Sequence, residues 1–166
     1  MIRTAIIVIA EQPQQPESQS MISANSCLNI IRQMLAKGPF VEVDCQILPK
    51  EQAMLRSRLR VWTDVNPVDL ILSTGGTGLD PKDRSPEAVL EVIEKPLEGM
   101  VELMRLMVIN KDRTGALLRL AAGFRRQSII ITLPDQPQQV QYALGAILEI
   151  IPEALKCLGV MVTSEG

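Results

Sequence analysis

The sequence predicts a single α/β domain in which a mostly parallel sheet lies between layers of helices. Strand-like apolar segments alternate with amphipathic helical segments along the chain, which indicates right-handed crossovers between parallel strands. A glycine-rich stretch at 74–78 follows an apolar run and precedes a helix start, and ligands bind at such turns in these folds. Because no linker or repeat interrupts the chain, we expect residues 1–166 to form one domain.

Four segments have the patterns of strands. Residues 4–10 form a continuous apolar run, as expected for a strand that is covered on both faces. At 41–47 apolar and polar residues alternate, which predicts a half-buried strand that ends at Pro49. Residues 68–73 and 127–133 are the other predicted strands, and the first of these two leads directly into the glycine-rich stretch.

The first two predicted helices lie before this stretch. After a polar, mobile loop at 11–20, Ser23 is expected to cap a helix that Gly38-Pro39 ends. A second helix is predicted at about 51–64. Its inward-facing residues are expected to be Met54, Leu55, Leu59 and Trp62.

The later helices have start signals of their own. Ser85-Pro86-Glu87 combines a cap, a proline at the first position and an acid in the first turn. A helix at about 97–108 has apolar residues on more than one face, so it needs two packing partners. Asp135 and Gln138 resemble a capping box that opens a helix through about residue 150, where Pro152 breaks it.

Composition excludes several classes of function. The chain has no histidine, which excludes histidine-based triads, general bases and metal ligands. With a net charge of −2 and few aromatic residues, nothing in the chain suggests a nucleic-acid or membrane partner. The cysteines Cys27, Cys45 and Cys157 lack metal-ligand spacing and are expected to be small buried hydrophobic residues, which fits a reducing, cytoplasmic location.

The glycine-rich stretch has the features of a phosphate site. It reads Thr74, Gly75, Gly76, Thr77 and Gly78, and we call it the glycine loop. Its glycines let a ligand approach the main chain, its N–H groups can surround an anion, and the helix start at Ser85 adds a positive dipole end. The carboxylates of Asp80 and Asp83 can hold a Mg²⁺ that bridges to phosphate. The alternative is a tight turn with a solvated acidic rim.

If the glycine loop is the ligand site, Gly76→Val is expected to remove ligand binding and leave the fold intact.

A family resemblance becomes specific at this point. The stretch from Leu70 to Ala88, LILSTGGTGLDPKDRSPEA, resembles the signature of the MogA/MoaB-type molybdopterin-binding proteins, to which the gephyrin N-terminal domain is related. Residues 117–125 and 130–134 resemble two further motifs of that family. The resemblance implies a three-layer α/β/α fold, a homo-oligomer that is a trimer or a dimer of trimers, and binding of molybdopterin. Active members use Mg²⁺ and ATP to adenylylate molybdopterin.

Carried over residue by residue, the resemblance assigns roles to this chain. The glycine loop, with Ser85 and Glu87, would bind the nucleotide or the pterin phosphate. Asp83 would be catalytic and would hold the metal, and Glu51 would replace an acid that adenylylating members carry after their second strand. Arg119 fits a salt bridge as well as it fits binding of the pterin phosphate.

Among the departures from the family's pattern, which include Ala10-Glu11 and Ser23-Ala24, three substitutions bear most on catalysis. Lys50 stands at the position of the acid after the second strand, Leu118 replaces a serine, and Asp135 replaces a glycine. Two hypotheses of different class therefore remain, a molybdopterin adenylyltransferase and a non-catalytic binding or assembly module. The intact glycine loop favours the first, whereas the substitutions favour the second and predict weak or absent adenylyl transfer. A more distant resemblance, to the competence-damage-inducible proteins, is disfavoured by the Ser-Pro-Glu-Ala turn at 85–88.

Overall fold

The computed structural model describes residues 1–163, and its centre is a six-stranded, mostly parallel sheet. The strands are β1 (Ile2–Ile9), β2 (Phe40–Leu48), β3 (Leu70–Thr74), β4 (Lys95–Pro96), β5 (Ala122–Arg125) and β6 (Ser128–Leu133). Their order across the sheet is β2-β1-β3-β6-β5-β4. Strands β2, β1, β3 and β6 are parallel, and β5 and β4 extend the sheet in antiparallel pairs. The predicted α/β class is confirmed.

Six α-helices within the described residues connect and cover these strands. They are α1 (Gln19–Leu35), α2 (Gln52–Arg60), α3 (Ser85–Val92), α4 (Glu98–Ile109), α5 (Pro137–Ile147) and α6 (Ile151–Cys157). A π-helical turn (Val61–Val65) continues α2, and a 3-10 turn (Arg113–Leu117) follows α4. No helix within residues 1–163 is long and apolar enough to cross a bilayer.

The core lies on both faces of the sheet. Alternate residues of β1 separate into two clusters: Ile6 and Val8 pack with α1, α4, α5 and α6, whereas Ala5 and Ile7 pack with α2, α3 and Trp62. Because side chains of a strand point alternately to opposite faces, this division defines a three-layer α/β/α arrangement. The parallel strands all end at the same edge of the sheet, where the glycine loop lies.

Two helix starts differ from the prediction. The hydroxyl of Ser18 accepts a hydrogen bond from the Met21 N–H at 3.2 Å, so α1 begins more than one turn before Ser23. Helix α5 begins at Pro137 without a side-chain cap, so the predicted capping box of Asp135 is wrong. The Asp135 carbonyl instead accepts from side chains of α1.

Strand β2 does not bury the alternating apolar residues that predicted it. Its register with β1 shifts between Thr4 and Ala5, where Val43 has no partner and forms a bulge. The bulge exchanges the two faces of the strand, and β2 lies at the edge of the sheet. Val41, Val43 and Ile47 are consequently exposed.

Several smaller predictions are corrected as well. Met54 is exposed, whereas Leu55, Leu59 and Trp62 are buried as predicted. Cys27 is buried, but Cys45 is only half-buried and Cys157 is exposed. Ser85 is the first residue of α3 rather than its cap.

Helix α4 buries one stripe of side chains and leaves apolar residues of another face exposed. The buried residues are Met100, Met104 and Val108, and the exposed ones are Leu106 and Met107.

Candidate functional site

The glycine loop leaves the carboxyl end of β3 in a conformation that requires glycine. Gly75 and Gly76 have φ values of 95° and 70°, in the left-handed region that other residues rarely adopt. A Cβ atom at Gly75 would lie 2.6 Å from the carbonyl oxygen of Ile9, and one at Gly76 would overlap the Ser85 hydroxyl. Gly76→Val would therefore strain the fold itself, contrary to the expectation from sequence.

Two hydrogen bonds fix the start of the loop to the end of β6. The Thr74 hydroxyl donates to the Pro134 carbonyl at 2.6 Å, and the Gly75 N–H donates to the Leu133 carbonyl at 3.3 Å. Within residues 1–163, the N–H groups of Gly76 and of the next two loop residues donate no hydrogen bond. Of these three, Gly76 borders the adjoining cavity and can donate to an anion there.

Arg119 holds the second half of the loop. Its guanidinium donates to the carbonyl oxygens of Gly78 at 2.7 Å and Asp83 at 2.6 Å, and it pairs with Glu87. Its backbone N–H donates to the Thr77 carbonyl at 3.0 Å. Neither Arg119 nor Glu87 lines the cavity, and their contacts position the loop; ligand binding by these two residues stays a prediction.

A polar cavity of about 210 Å³ adjoins the loop at the carboxyl edge of the sheet. Five segments enclose it: the ends of β1, β2, β3 and β6 with the residues that follow them, and the first three turns of α1. Its lining residues are Ile9, Glu11, Ser20, Ser23, Ala24, Cys27, Lys50, Thr74, Gly75, Gly76, Asp135 and Gln136. The structure therefore brings Thr74, Gly75 and Gly76 together at the cavity, as predicted for the start of the loop.

The part that α1 plays in the cavity was missed in the sequence. Ser20, Ser23 and Cys27 lie at the spacing of one helical face, and this pattern was visible, but the predicted start at Ser23 placed Ser20 in a loop. The Ser23 hydroxyl and the Cys27 thiol donate to the Asp135 carbonyl at 3.1 and 3.4 Å. Burial raises the pKa of the Cys27 thiol to about 11, so it remains a neutral hydrogen-bond donor.

Lys50 and Asp83 form an ion pair beside the cavity. The Lys50 Nζ lies 2.8 Å from an Asp83 carboxylate oxygen, and their side chains are 21% and 9% exposed. Gly78 leaves room for this carboxylate, because a Cβ there would lie 2.8 Å from the other Asp83 oxygen. Lys50 lines the cavity and Asp83 does not.

The environment of Lys50 favours its charged form. Partial burial is the largest influence and opposes the charge, but the hydrogen bond and Coulomb attraction to Asp83 outweigh it. Glu11 and Asp80 add to the attraction, and the net effect raises the pKa of Lys50 above its ordinary value. This residue is therefore a cation at any physiological pH.

The other predicted or substituted residues lie at the margin of the site. Glu51 precedes α2 at the surface and does not line the cavity, although Lys50 next to it does. Asp135 is an exposed carboxylate on the rim, after β6. Leu118 packs against the core, and its carbonyl accepts hydrogen bonds from Arg105.

We tested whether the residues at Asp83 fit the Mg²⁺ that the family resemblance implies. Within residues 1–163, no three Asp, Glu or Cys side chains are grouped closely enough to hold a metal ion. The Asp83 carboxylate faces an ammonium group instead of an open coordination position. A divalent cation would have to displace that charge, so the arrangement does not fit Mg²⁺ at Asp83.

The fold and the site define an α/β domain with a glycine-rich loop and a polar cavity at the carboxyl edge of its sheet. The model of the family described as probable molybdopterin binding domain matches residues 18–154, and the chain belongs to this family. A solved relative is the molybdopterin biosynthesis enzyme MoaB from Thermus thermophilus, with 36% identity and a TM-score of 0.88. The similarity covers 98% of this chain and 100% of that one.

Curated relatives are longer than this chain. A molybdopterin adenylyltransferase of Helicobacter pylori is 36% identical over 112 residues, which are 68% of this chain and 64% of the relative. The molybdenum cofactor synthesis protein cinnamon of Drosophila melanogaster is 30% identical over 131 residues, 78% of this chain and 22% of the relative. The matched region thus spans less than two thirds of the length of each.

Proposed function

We propose that this protein binds molybdopterin in the glycine-loop cavity and acts in molybdenum cofactor biosynthesis. The observation that carries this proposal is the glycine loop itself: Gly76, whose N–H donates no hydrogen bond within residues 1–163, lines a polar cavity together with Lys50. A backbone donor and a fixed cation on one cavity are suited to a phosphate group. The names of the family and of its relatives supply the pterin that carries the phosphate.

The distribution of charge supports one orientation of this ligand. Lys50 lies at the β2 side of the loop, whereas Asp135 lies at the β6 side. The phosphate would lie between Lys50 and Gly76, where a cation and an N–H group converge. The pterin ring, which has N–H donors, would lie toward Asp135 and the first turns of α1.

Adenylyl transfer from ATP to molybdopterin is the second candidate function. The names of several relatives favour it, because they are molybdopterin adenylyltransferases. Two anionic reactants must meet in this reaction, and metal ions normally offset their charge. Within residues 1–163 the Lys50–Asp83 pair and the outlying Glu51 form no such metal position, which supports the prediction of weak or absent transfer. Conversion of molybdopterin and ATP to adenylylated product by the purified protein would establish this activity.

We also propose that the protein forms a homo-oligomer, with a trimer as the expected assembly. The exposed apolar face of α4 supports this assembly, because Leu106 is 53% exposed in the single chain. A cytoplasmic location stays a prediction from cysteine usage.

The proposed ligand site is tested by filling the cavity from α1. In Ser23→Leu, a larger apolar side chain enters the cavity and removes a hydroxyl from its wall. Anaerobic calorimetry with molybdopterin should show affinity lower by about tenfold or more, since one or two polar contacts are lost.

Ser26→Leu is the matched control, because Ser26 is also a half-buried serine of α1 and does not line the cavity. Its hydroxyl likewise donates to a carbonyl, that of Ile22, at 3.0 Å. Equal affinity of the two variants for molybdopterin would place the ligand elsewhere.

A further inference from the structure

Lys50 occupies the place from which a metal ion would act on a ligand in this cavity. Its Nζ lies 2.8 Å from a carboxylate oxygen of Asp83, the residue that the family resemblance assigns to the metal. Lys50 is also part of the cavity wall. An ammonium group has three N–H donors, and the pair with Asp83 uses one of them. The remaining donors are available to an anion while the carboxylate keeps the side chain in place.

Without this cation, the negative charges of the neighbouring carboxylates would be unfavourable for folding and for binding of an anion. Asp83 is 7% exposed, and Glu11 and Asp80 lie near enough to act on the charge of Lys50. Without Lys50, an anionic ligand would enter a region of uncompensated negative charge and would be repelled. Lys82, a neighbouring cation, lies 3.7 Å from Glu11 with a side chain that is 68% exposed, so solvent screens it.

We propose that the ammonium group of Lys50 is the built-in cation of the glycine-loop cavity, so that phosphate binding there requires no divalent metal. This inference rests on the proposed function, because it concerns the phosphate of the same ligand. Lys50 binds Asp83 and the phosphate together, and the ion pair holds its ammonium group at the cavity that Gly76 also lines.

The test is anaerobic calorimetry with molybdopterin, in buffer with Mg²⁺ and in buffer with EDTA. The unmodified protein should bind with affinities that differ by less than about twofold between the two buffers. Lys50→Met should bind about tenfold or more weakly in both buffers, because it keeps the length of the side chain and loses the charge.

Lys50→Asp provides a readout that is independent of the pterin. It places a second carboxylate beside Asp83, near Glu11 and Asp80, and creates the oxygen-rich environment that Mg²⁺ and Mn²⁺ prefer. Paramagnetic resonance should then detect bound Mn²⁺ in this variant and not in the unmodified protein. Molybdopterin binding by Lys50→Asp should be strengthened by Mg²⁺ about tenfold.

Two controls separate the role of Lys50 from general effects. Lys82→Met removes an equal charge from a neighbouring position and should leave the affinity unchanged. Lys50→Met combined with Asp83→Asn leaves no unpaired buried carboxylate; thermal unfolding should show a folded protein, and its affinity should remain as weak as that of Lys50→Met.

The outcomes distinguish this inference from the proposed function. Binding by the unmodified protein that appears only with Mg²⁺ would overturn the inference and leave molybdopterin binding standing. Unchanged affinity of the folded double variant in EDTA would overturn it as well. Failure of the unmodified protein to bind molybdopterin in either buffer would overturn the proposed function and the inference together.

Discussion

At the scale of single residues, Arg119 shapes the glycine loop without contacting the cavity. Its guanidinium donates to the carbonyls of Gly78 and Asp83 and pairs with Glu87. Burial opposes the charge of Glu87 most strongly, yet the hydrogen bond from Arg119 prevails and lowers the pKa of Glu87. The sequence left open whether Arg119 forms a salt bridge or binds phosphate; the structure shows the salt bridge, and phosphate binding by Arg119 stays a prediction.

The first prediction at this scale is that Arg119→Lys weakens the loop. The ammonium group of lysine cannot reproduce the planar set of donors of a guanidinium. The variant should therefore lose a hydrogen bond to at least one of the two carbonyls and have a weaker contact with Glu87. The free energy of unfolding should fall by about 1–3 kcal/mol in urea titrations. Molybdopterin affinity should fall several-fold, because the second half of the glycine loop and the Asp83 segment are no longer held in place.

Arg125→Lys is the control for this prediction. Arg125 also donates from three nitrogens, to Asp64 and to the Val92 carbonyl, but it lies away from the cavity. It should lose stability to a similar extent and keep its affinity for molybdopterin. An equal loss of affinity in both variants would mean that general destabilisation, not the loop, accounts for the effect.

The Asp64–Arg125 pair also makes stability depend on pH. The hydrogen bond from Arg125 is the largest influence on Asp64 and holds its pKa below the ordinary value of 3.8. The stabilisation is therefore fully present above the ordinary pKa and is lost as the pH falls through the lower, folded-state pKa. Urea titrations should show that Asp64→Asn loses stability at pH 7 and converges with the unmodified protein at strongly acidic pH. A difference that stays constant over that range would show that the carboxylate charge is not the cause.

At the scale of secondary-structure elements, the long apolar patterns were predictable and the interruptions were not. Strand β1 and the buried faces of α1 and α5 follow directly from apolar periodicity. The bulge at Val43 was not predictable, because a pattern of period two gives no sign that a register will shift. The sequence therefore placed the apolar residues of β2 on one buried face when they are partly exposed.

The β4–β5 pair shows a second limit of sequence patterns. Strand β4 is two residues long, and β5 contains Gly123, so neither has a strand-like alternation. They form because the carbonyl and N–H groups next to β6 must be paired, and the turn at Arg126, with φ of 54°, returns the chain. Glycine is required at 123, where a Cβ would lie 2.6 Å from the Lys95 carbonyl oxygen.

Helix starts matter for the site because they decide which side chains reach it. The sequence placed the start of α1 at Ser23, whereas the Ser18 cap adds a turn that brings Ser20 to the cavity. Ser18, Ser20 and Ser23 can each cap a helix, so only the packing of α1 on the sheet selects among them.

At the scale of the whole molecule, two helical layers leave one helix incompletely covered. Helix α4 buries Met100 and Met104 against the sheet but exposes Leu106 and Met107. We expect a second copy of the chain to cover this face, and light scattering should give about three times the 18.3 kDa mass of one chain.

Leu106→Glu should shift the protein toward smaller species, because a charge in an apolar interface is costly. Val65→Glu is the control: Val65 is 69% exposed and follows α2 on the opposite side of the sheet. A monomer in the unmodified protein, or dissociation by both variants alike, would contradict the assembly proposed for α4.

The most direct measurement of the central claim is a crystal structure of the protein with molybdopterin bound. The phosphate should lie in the cavity at the carboxyl edge of the sheet, with one oxygen about 3 Å from the Gly76 nitrogen and another about 2.8 Å from the Lys50 Nζ. A phosphate bound away from both groups, with the cavity between β3 and α1 left to solvent, would contradict the account.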